Sequence, residues 1–175
     1  ELRTRYKPNT FNVMLYLIRG FLEWLNLEDL DLKAIEKIKA PKKDFITKTA
    51  ADMLSEEDIR SMLNECRTSR DRALFSVLYE GGFRPIEMVR LTWGQVKFDD
   101  YGTVINTAEK TGTPRYIRLI AASPALAAWK SDYPVRIEKT SPVFVKLRGY
   151  PPRPITTTTV RRLLEKLARE SNLDK

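Results

Sequence analysis

The stretch Gly81-Gly82-Phe83-Arg84-Pro85-Ile86-Glu87-Met88-Val89-Arg90-Leu91-Thr92-Trp93 makes the chain end one helix and begin another with almost no connector. A helical pattern of apolar residues, Leu74, Phe75, Val77 and Leu78, runs into it. Gly81-Gly82 stops that pattern, because glycine readily takes the left-handed conformation that closes a helix. Pro85 suits the first position of the next helix, where its fixed φ helps and its missing N–H is no loss. Arg84 then falls at the N-cap, although arginine is a poor cap by propensity. Glu87, three residues on, can bond back to the cap N–H. It can also pair with the Arg84 guanidinium. Two roles for Arg84 are open at this point. Free N–H groups at a helix start favour an anion, and an arginine fork beside them makes a phosphate clamp. Alternatively, Arg84 pairs with Glu87 and only tightens the turn.

Composition narrows the chemistry. The 175 residues include no histidine and one cysteine, Cys66. Without histidine the commonest general base and the commonest metal ligand are gone, which excludes a zinc site or a Ser-His-Asp triad within this chain. One cysteine allows no internal disulfide and fits a reducing interior. No apolar run approaches membrane-spanning length and no signal peptide opens the chain. Lys/Arg richness and the missing disulfides make the expected location cytoplasmic. The net charge is +8, unevenly placed: +3 over residues 1–50, zero over 51–130 and +5 over 131–175. Basic ends around a balanced middle fit a polyanion partner.

The expected fold is mainly α with a small three-stranded antiparallel sheet, in two parts. Residues 10–26 read as a helix capped by Thr10. Phe11, Met14, Leu15, Ile18, Phe21, Leu22 and Leu25 form one buried face, which Tyr16 and Trp24 widen. A short helix follows near 31–39. The polar, lysine-rich stretch from Ala40 to Thr49 reads as a linker, with a domain boundary at residues 45–46. Ser55-Glu56-Glu57-Asp58 is a capping box ahead of Ile59, Met62 and Leu63. Ser69 or Asp71 opens the helix that ends at Gly81-Gly82. The period then changes. Gln95–Phe98, Thr103–Ala108 and Arg115–Leu119 read as strands of a meander, with Tyr116 and Arg118 on one face. Ser123-Pro124 starts a helix through Trp129, and Pro142–Val145 is a short extended piece. Arg148–Pro154 is a basic, proline-rich loop. Thr156–Thr159 lead a last helix to about Ser171 that buries Leu163, Leu164 and Leu167. Its charges, Arg161, Arg162, Lys166 and Arg169, suit either a solvated face or DNA.

Lys110 stands in the tight turn Glu109-Lys110-Thr111-Gly112, ahead of the basic strand Arg115–Arg118. A lysine beside glycine in a flexible turn can reach into a phosphate site from outside, although most hairpin lysines only keep a turn soluble. The order of a helix, a Gly-Gly-x-Arg-Pro-x-Glu helix, a three-stranded meander and a turn lysine resembles the tyrosine recombinase (phage integrase) family. The resemblance rests on Gly82-Phe83-Arg84-Pro85-Ile86-Glu87, Leu91-Thr92-Trp93, Val96, Lys110 and Arg115-Tyr116-Ile117-Arg118-Leu119. It implies that residues 1–45 are part of a helical core-binding segment that clamps DNA. Residues 46–175 would be the front of the catalytic domain. It also implies site-specific DNA recombination or integration through a 3′-phosphotyrosyl intermediate. Arg84 would stabilise phosphate charge, Lys110 would be the general acid and Glu87 would support Arg84. No metal or nucleotide cofactor is implied. The implied partners are double-stranded DNA and further copies of the parent, four of which act together on DNA. Candidate phosphate contacts are Lys42, Lys43, Lys48, Arg115 and Arg118, with Arg148, Arg153, Arg161 and Arg162 nearer the C-terminus. The family's His-x-x-Arg motif and tyrosine nucleophile have no counterpart in this sequence. The chain is therefore expected to be the inactive front piece of a recombinase, or else a DNA-binding remnant that regulates recombination sites. A helical module that binds protein, with incidental basic charge, is a third reading.

Overall fold

The computed structural model describes residues 6, 8–25, 53–107 and 115–173. The chain divides into two compact units, residues 1–51 and 52–175. The helix expected near 31–39, the linker at 40–49 and the turn at 110–113 lie outside the described residues, as do Lys42, Lys43, Lys48 and Lys110.

In the first unit, helix α1 (Pro8–Leu25) starts two residues before the expected Thr10 cap. Proline at the first helical position explains the earlier start. The expectation of one buried face over Phe11–Leu25 is corrected. Phe11 is buried and Met14, Leu15 and Leu22 are half-buried, but Ile18, Phe21 and Leu25 are exposed. Tyr16 and Trp24 are 78% and 76% exposed. Three- and four-residue spacing identifies an apolar stripe, yet it says nothing about which surface covers it. Val13 and Leu17, also exposed, spread apolar area beyond one stripe.

The second unit begins with α2 (Glu56–Asn64), opened by the expected capping box. The Ser55 N–H donates to Asp58 Oδ2 at 2.8 Å and the Asp58 N–H to Ser55 Oγ at 3.2 Å. Helix α3 (Ser69–Gly81) follows, opened by Ser69 as expected and capped by Thr68. The Asp71 N–H donates to Thr68 Oγ1 at 3.1 Å, which leaves the Asp71 carboxylate for Arg70. The short α4 (Pro85–Arg90) leads through a 3-10 turn, Trp93–Gln95, into the sheet. Gln95, expected in the first strand, closes that turn instead. Its Oε1 accepts from the Thr92 N–H at 2.9 Å and its Nε2 donates to the Asn106 carbonyl at 3.0 Å.

The sheet has the expected antiparallel order β1 (Val96–Asp99), β2 (Gly102–Thr107) and β3 (Arg115–Leu119). Its register pairs Val96 with Ile105, and Ile105 with Ile117. Those three side chains share the inner face, where Ile105 and Leu119 are fully buried against the helices. Helix α5 (Ser123–Ser131) and helix α6 (Thr157–Glu170) complete the unit. In α6, Val160, Leu163 and Leu167 are buried and Leu164 is half-buried.

An irregular segment from Lys139 to Val145 threads this core without forming a strand. The Trp93 N–H donates to the Ser141 carbonyl at 2.9 Å, and the Val143 N–H to the Leu91 carbonyl at 2.8 Å. Two aromatic side chains hold its outer side. Trp129 Nε1 donates to the Val143 carbonyl at 2.7 Å and the Tyr133 hydroxyl to the Pro142 carbonyl at 2.6 Å. Buried backbone needs partners, and here side chains supply what a strand neighbour would. Cys66 is buried at the end of α2, where burial pushes its thiol up to about 11. A thiol so far from ionisation is a packing residue and a poor nucleophile. No helix among the described residues is long and apolar enough to cross a membrane.

Candidate functional site: the Arg84 helix start

Four successive residues fix the position of Arg84. Gly82 closes α3 with φ 57° and ψ 33°, the left-handed conformation that glycine adopts without steric cost. Its N–H donates to the Leu78 carbonyl at 3.0 Å. Phe83 is buried and anchors the turn in the core. Arg84 takes the extended conformation of an N-cap residue, and Pro85 occupies the first helical position. The Arg84 carbonyl accepts from the N–H groups of Glu87 and Met88 at 2.9 and 3.2 Å. On the inner side of α4, Met88 is fully buried, and Leu91 is buried just beyond.

Glu87 binds the Arg84 backbone more closely than its charge. Its Oε2 accepts from the Arg84 N–H at 2.7 Å, whereas its Oε1 lies 3.5 Å from Arg84 Nη1. The Arg84 side chain is 72% exposed and that of Glu87 is 13% exposed. Both expected contacts of Glu87 are therefore present, with unequal weight. The carboxylate holds the cap and touches one corner of the guanidinium. A guanidinium has five N–H donors, so most of the fork faces solvent and can take an anion.

Gly81 contributes by what it lacks. A Cβ there would collide with the Phe83 ring. The ring is buried, so it cannot yield without giving up burial. Gly81→Ala is expected to destabilise the second unit by about 1–3 kcal/mol, the usual range for overpacking. A urea titration measures this. An unchanged midpoint would mean that the ring moves aside freely.

Beyond Arg84, three networks position the surroundings. Glu80, in the last turn of α3, accepts from the N–H groups of Ile120, Ala121 and Ala122 at 2.7, 3.1 and 2.6 Å. It ties the exit of β3 and the start of α5 to the helix that ends at Arg84. Arg70 is mostly buried. Its Nε donates to Asp71 Oδ1 at 2.9 Å and its Nη1 to the Val145 carbonyl at 3.2 Å. Arg118 grips Asp99 with both nitrogens, at 2.7 and 3.0 Å. The Arg118 guanidinium, with help from the Tyr101 N–H, holds the Asp99 carboxyl below its ordinary range.

The other candidates are dispersed. Tyr116 and Arg118 share the exposed face of β3, as expected, while Arg115 falls on the opposite face with Ile117 and Leu119. Arg161 pairs with Glu165 at 3.3 Å on the exposed side of α6, and Arg162 is exposed. Arg148 and Arg153 line one cavity together with Lys146. Sequence reasoning missed Lys146, Glu80 and Arg70. Only Lys146 had a local signal, its place beside the basic loop. Glu80 and Arg70 meet partners some forty and seventy-five residues away. Among the described residues no group of acidic or cysteine side chains could hold a metal ion.

Residues 52–175 match the model of the phage integrase family. The chain belongs to the phage integrase family. This family member is 35% identical over 96 residues to the tyrosine recombinase XerD of Pseudomonas putida, which covers 52% of this chain and 32% of XerD. Its fold is similar to the crystal structure of XerA recombinase, with a TM-score of 0.63 at 20% identity, over 99% of this chain and 58% of that one. It is also similar to lambda integrase (residues 75–356) bound to DNA, with a TM-score of 0.66 at 16% identity, over 91% of this chain and 57% of that one. The family member thus spans about a third of the curated relative and under two thirds of either solved chain.

Proposed function

We propose that this chain carries the first catalytic arginine and the catalytic lysine of a site-specific DNA recombinase, and that it grips the duplex while the parent protein exchanges strands. The observation that carries this reading is Arg84. Its backbone is locked at a helix start and its fork is 72% exposed, with Glu87 bound mainly to the backbone. That arrangement presents positive charge and a planar guanidinium fork where a scissile phosphate can enter.

The chemistry is a transesterification. A tyrosine hydroxyl of the parent, outside these 175 residues, attacks the phosphorus. A P–O bond to the tyrosine oxygen forms and the bond between phosphorus and the bridging 5′ oxygen breaks. The exchange is proton-neutral: tyrosine gives up one proton and the 5′ oxygen takes one. Arg84 meets the charge that builds on the non-bridging oxygens, which is worth most where donors are preorganised. Lys110 supplies the proton to the departing 5′ oxygen as general acid. The bond energy stays in the phosphotyrosyl ester, so no nucleotide or metal cofactor enters. This chain alone binds duplex DNA without cleaving it. Four parent protomers assemble on the DNA, in the cytoplasm where that substrate resides. Residues 1–45 and residues 46–175 would each contribute contacts to the duplex. The phosphate contacts would come from Lys42, Lys43, Lys48, Arg115 and Arg118 and from the C-terminal Arg148, Arg153, Arg161 and Arg162.

The test uses the parent recombinase on a nicked duplex that traps the covalent intermediate. A protein–DNA adduct through tyrosine is expected. Lys110→Ala is expected to lower adduct formation by about 10²–10⁴-fold, the usual worth of a general acid. A substrate with sulfur at the bridging 5′ position, which leaves without protonation, is expected to restore most of that rate. Absence of any adduct refutes the recombinase reading, and absence of sulfur rescue removes Lys110 from the general-acid role.

A further inference from the structure

Strand β2 runs past the end of its neighbour. The register sets Val96 against Ile105 and β1 begins at Val96, so Asn106 and Thr107 extend beyond β1. On their other side they pair with Tyr116 and Arg115 of β3. Lys110 follows Thr107 by three residues. The root of the lysine-bearing turn is therefore a strand pair that β1 no longer flanks. The same register, continued by one step, would set Gln95 against Asn106. The Gln95 N–H is already engaged, because it donates to the Thr92 carbonyl at 3.0 Å in the 3-10 turn.

The Gln95 side chain takes over. Its Nε2 donates to the Asn106 carbonyl at 3.0 Å, where the N–H of a strand neighbour would otherwise stand. Its Oε1 accepts from the Thr92 N–H at 2.9 Å and from the Thr92 hydroxyl at 3.1 Å. The foot of this strut is fixed. Thr92 forms an antiparallel bridge with Pro142, and the Gly94 N–H donates to the Lys139 carbonyl at 2.8 Å. The backbones are so close there that a Cβ on Gly94 would meet the same oxygen at 2.8 Å. Thr92 follows directly on the buried Leu91 at the end of α4, the helix that Arg84 opens. One carboxamide thus joins the exit of the Arg84 helix to the root of the lysine-bearing turn. The join needs a donor and an acceptor on one side chain of this length. Glutamate lacks the donor, and asparagine is one methylene shorter.

We propose that Gln95 is a positioning residue for strand cleavage: its carboxamide holds the end of β2, and through it the general acid, in alignment with the Arg84 helix. The proposal rests on the roles given above to Arg84 and Lys110. Proton transfer needs donor and acceptor within hydrogen-bond reach, so a small displacement of the turn slows it steeply. Gln95 takes no part in the chemistry itself and acts through Lys110.

The test is single-turnover cleavage by the parent recombinase on two nicked duplexes, one with oxygen and one with sulfur at the bridging 5′ position. Sulfur leaves without protonation, so it removes the step that Lys110 serves and keeps every other. Gln95→Met keeps the length and the apolar stem but loses the carboxamide. It is expected to cleave the oxygen substrate about tenfold more slowly or worse, and the sulfur substrate within about twofold of normal. Gln95→Glu keeps the acceptor for Thr92 and loses only the donor to Asn106. It is expected to show the same split, and it carries the test if Gln95→Met does not fold. On the oxygen substrate, adding the Gln95 substitution to Lys110→Ala is expected to slow cleavage no further, because the group it aligns is gone. Equal losses on the two substrates, or no loss on either, would overturn the positioning role, as would additive losses in the double variant. With sulfur rescue of Lys110→Ala in hand, each of those outcomes removes Gln95 alone and leaves the recombinase reading intact. If sulfur does not rescue Lys110→Ala itself, the general-acid assignment fails and this proposal fails with it.

Discussion

Arg84→Ala in the parent recombinase is expected to cut strand cleavage by about 10³-fold, while duplex affinity changes by less than about tenfold. The two readouts separate because the two states ask different things of the side chain. In the bound duplex, Arg84 is one cation among several on a chain of net charge +8, so its loss removes one phosphate contact from many. On the proposed mechanism it faces, in the transition state, charge that is absent from the ground state, and its ion-pair partner cannot replace it. Glu87 brings the wrong sign, and its hold on the Arg84 N–H at 2.7 Å remains when the side chain is cut back. The cap, the buried Phe83 and the buried Met88 keep the backbone in place, so the loss reports chemistry rather than unfolding. Arg84→Lys should recover only part of the rate, since an ammonium keeps charge but loses the planar fork. Cleavage within about tenfold of normal in Arg84→Ala would end the assignment.

The second large effect is on stability. Glu80→Ala is expected to cost roughly 3 kcal/mol, and so to lower the melting temperature of the second unit by about 10 °C. One carboxylate takes three backbone N–H groups within 3.1 Å, and hydrogen bonds to a charged acceptor are among the stronger ones. The figure is held below a simple sum because Ile120 and Ala121 are exposed and their N–H groups can turn to water. Ala122 is buried and has no such recourse. Glu80→Gln keeps one acceptor oxygen but places an NH₂ among donors, so it should fall between the two. Hydrogen exchange should show Ile120–Ala122 losing protection first. A melting temperature within about 2 °C of normal for Glu80→Ala would mean that these bonds only replace equally good bonds to water.

What could be read in the sequence follows from how far each signal travels along the chain. The α3–α4 break was legible because Gly82, Pro85 and Glu87 each act within a few residues, and the structure has the left-handed close, the first-turn proline and the back-bonded cap. The meander was legible because alternation over Gly102–Thr107 and Arg115–Leu119 is itself the record of two sheet faces. The start of α3 at Ser69 was legible, but the identity of its cap was not. Thr68, Ser69 and Asp71 are all capable caps, and only Thr68 has the extended backbone that aims its hydroxyl at the Asp71 N–H. The face of α1 failed for a different reason. A stripe from Phe11 to Leu25 encodes amphipathicity, not the identity of its cover, and Tyr16, Phe21 and Trp24 are exposed. In the candidate site, Arg84 and Glu87 were visible through their spacing. Glu80 was not, because its partners are main-chain amides that carry no side-chain signature and lie forty residues on. Arg118 appeared as a free cation in the strand pattern; its partner Asp99 lies across β2, a relation that only the register creates.

Glu80 and Arg84 stand four residues apart, on either side of the terminus of α3. One is bonded to the exit of β3, and the other projects the exposed guanidinium. Thermal displacement of that terminus therefore carries arginine and sheet in the same direction, and their separation fluctuates less than either position does. The pair behaves like two fittings on one rail. Slow breathing of the unit blurs where the arginine is in space, while its alignment with the strands that flank the lysine-bearing turn is preserved.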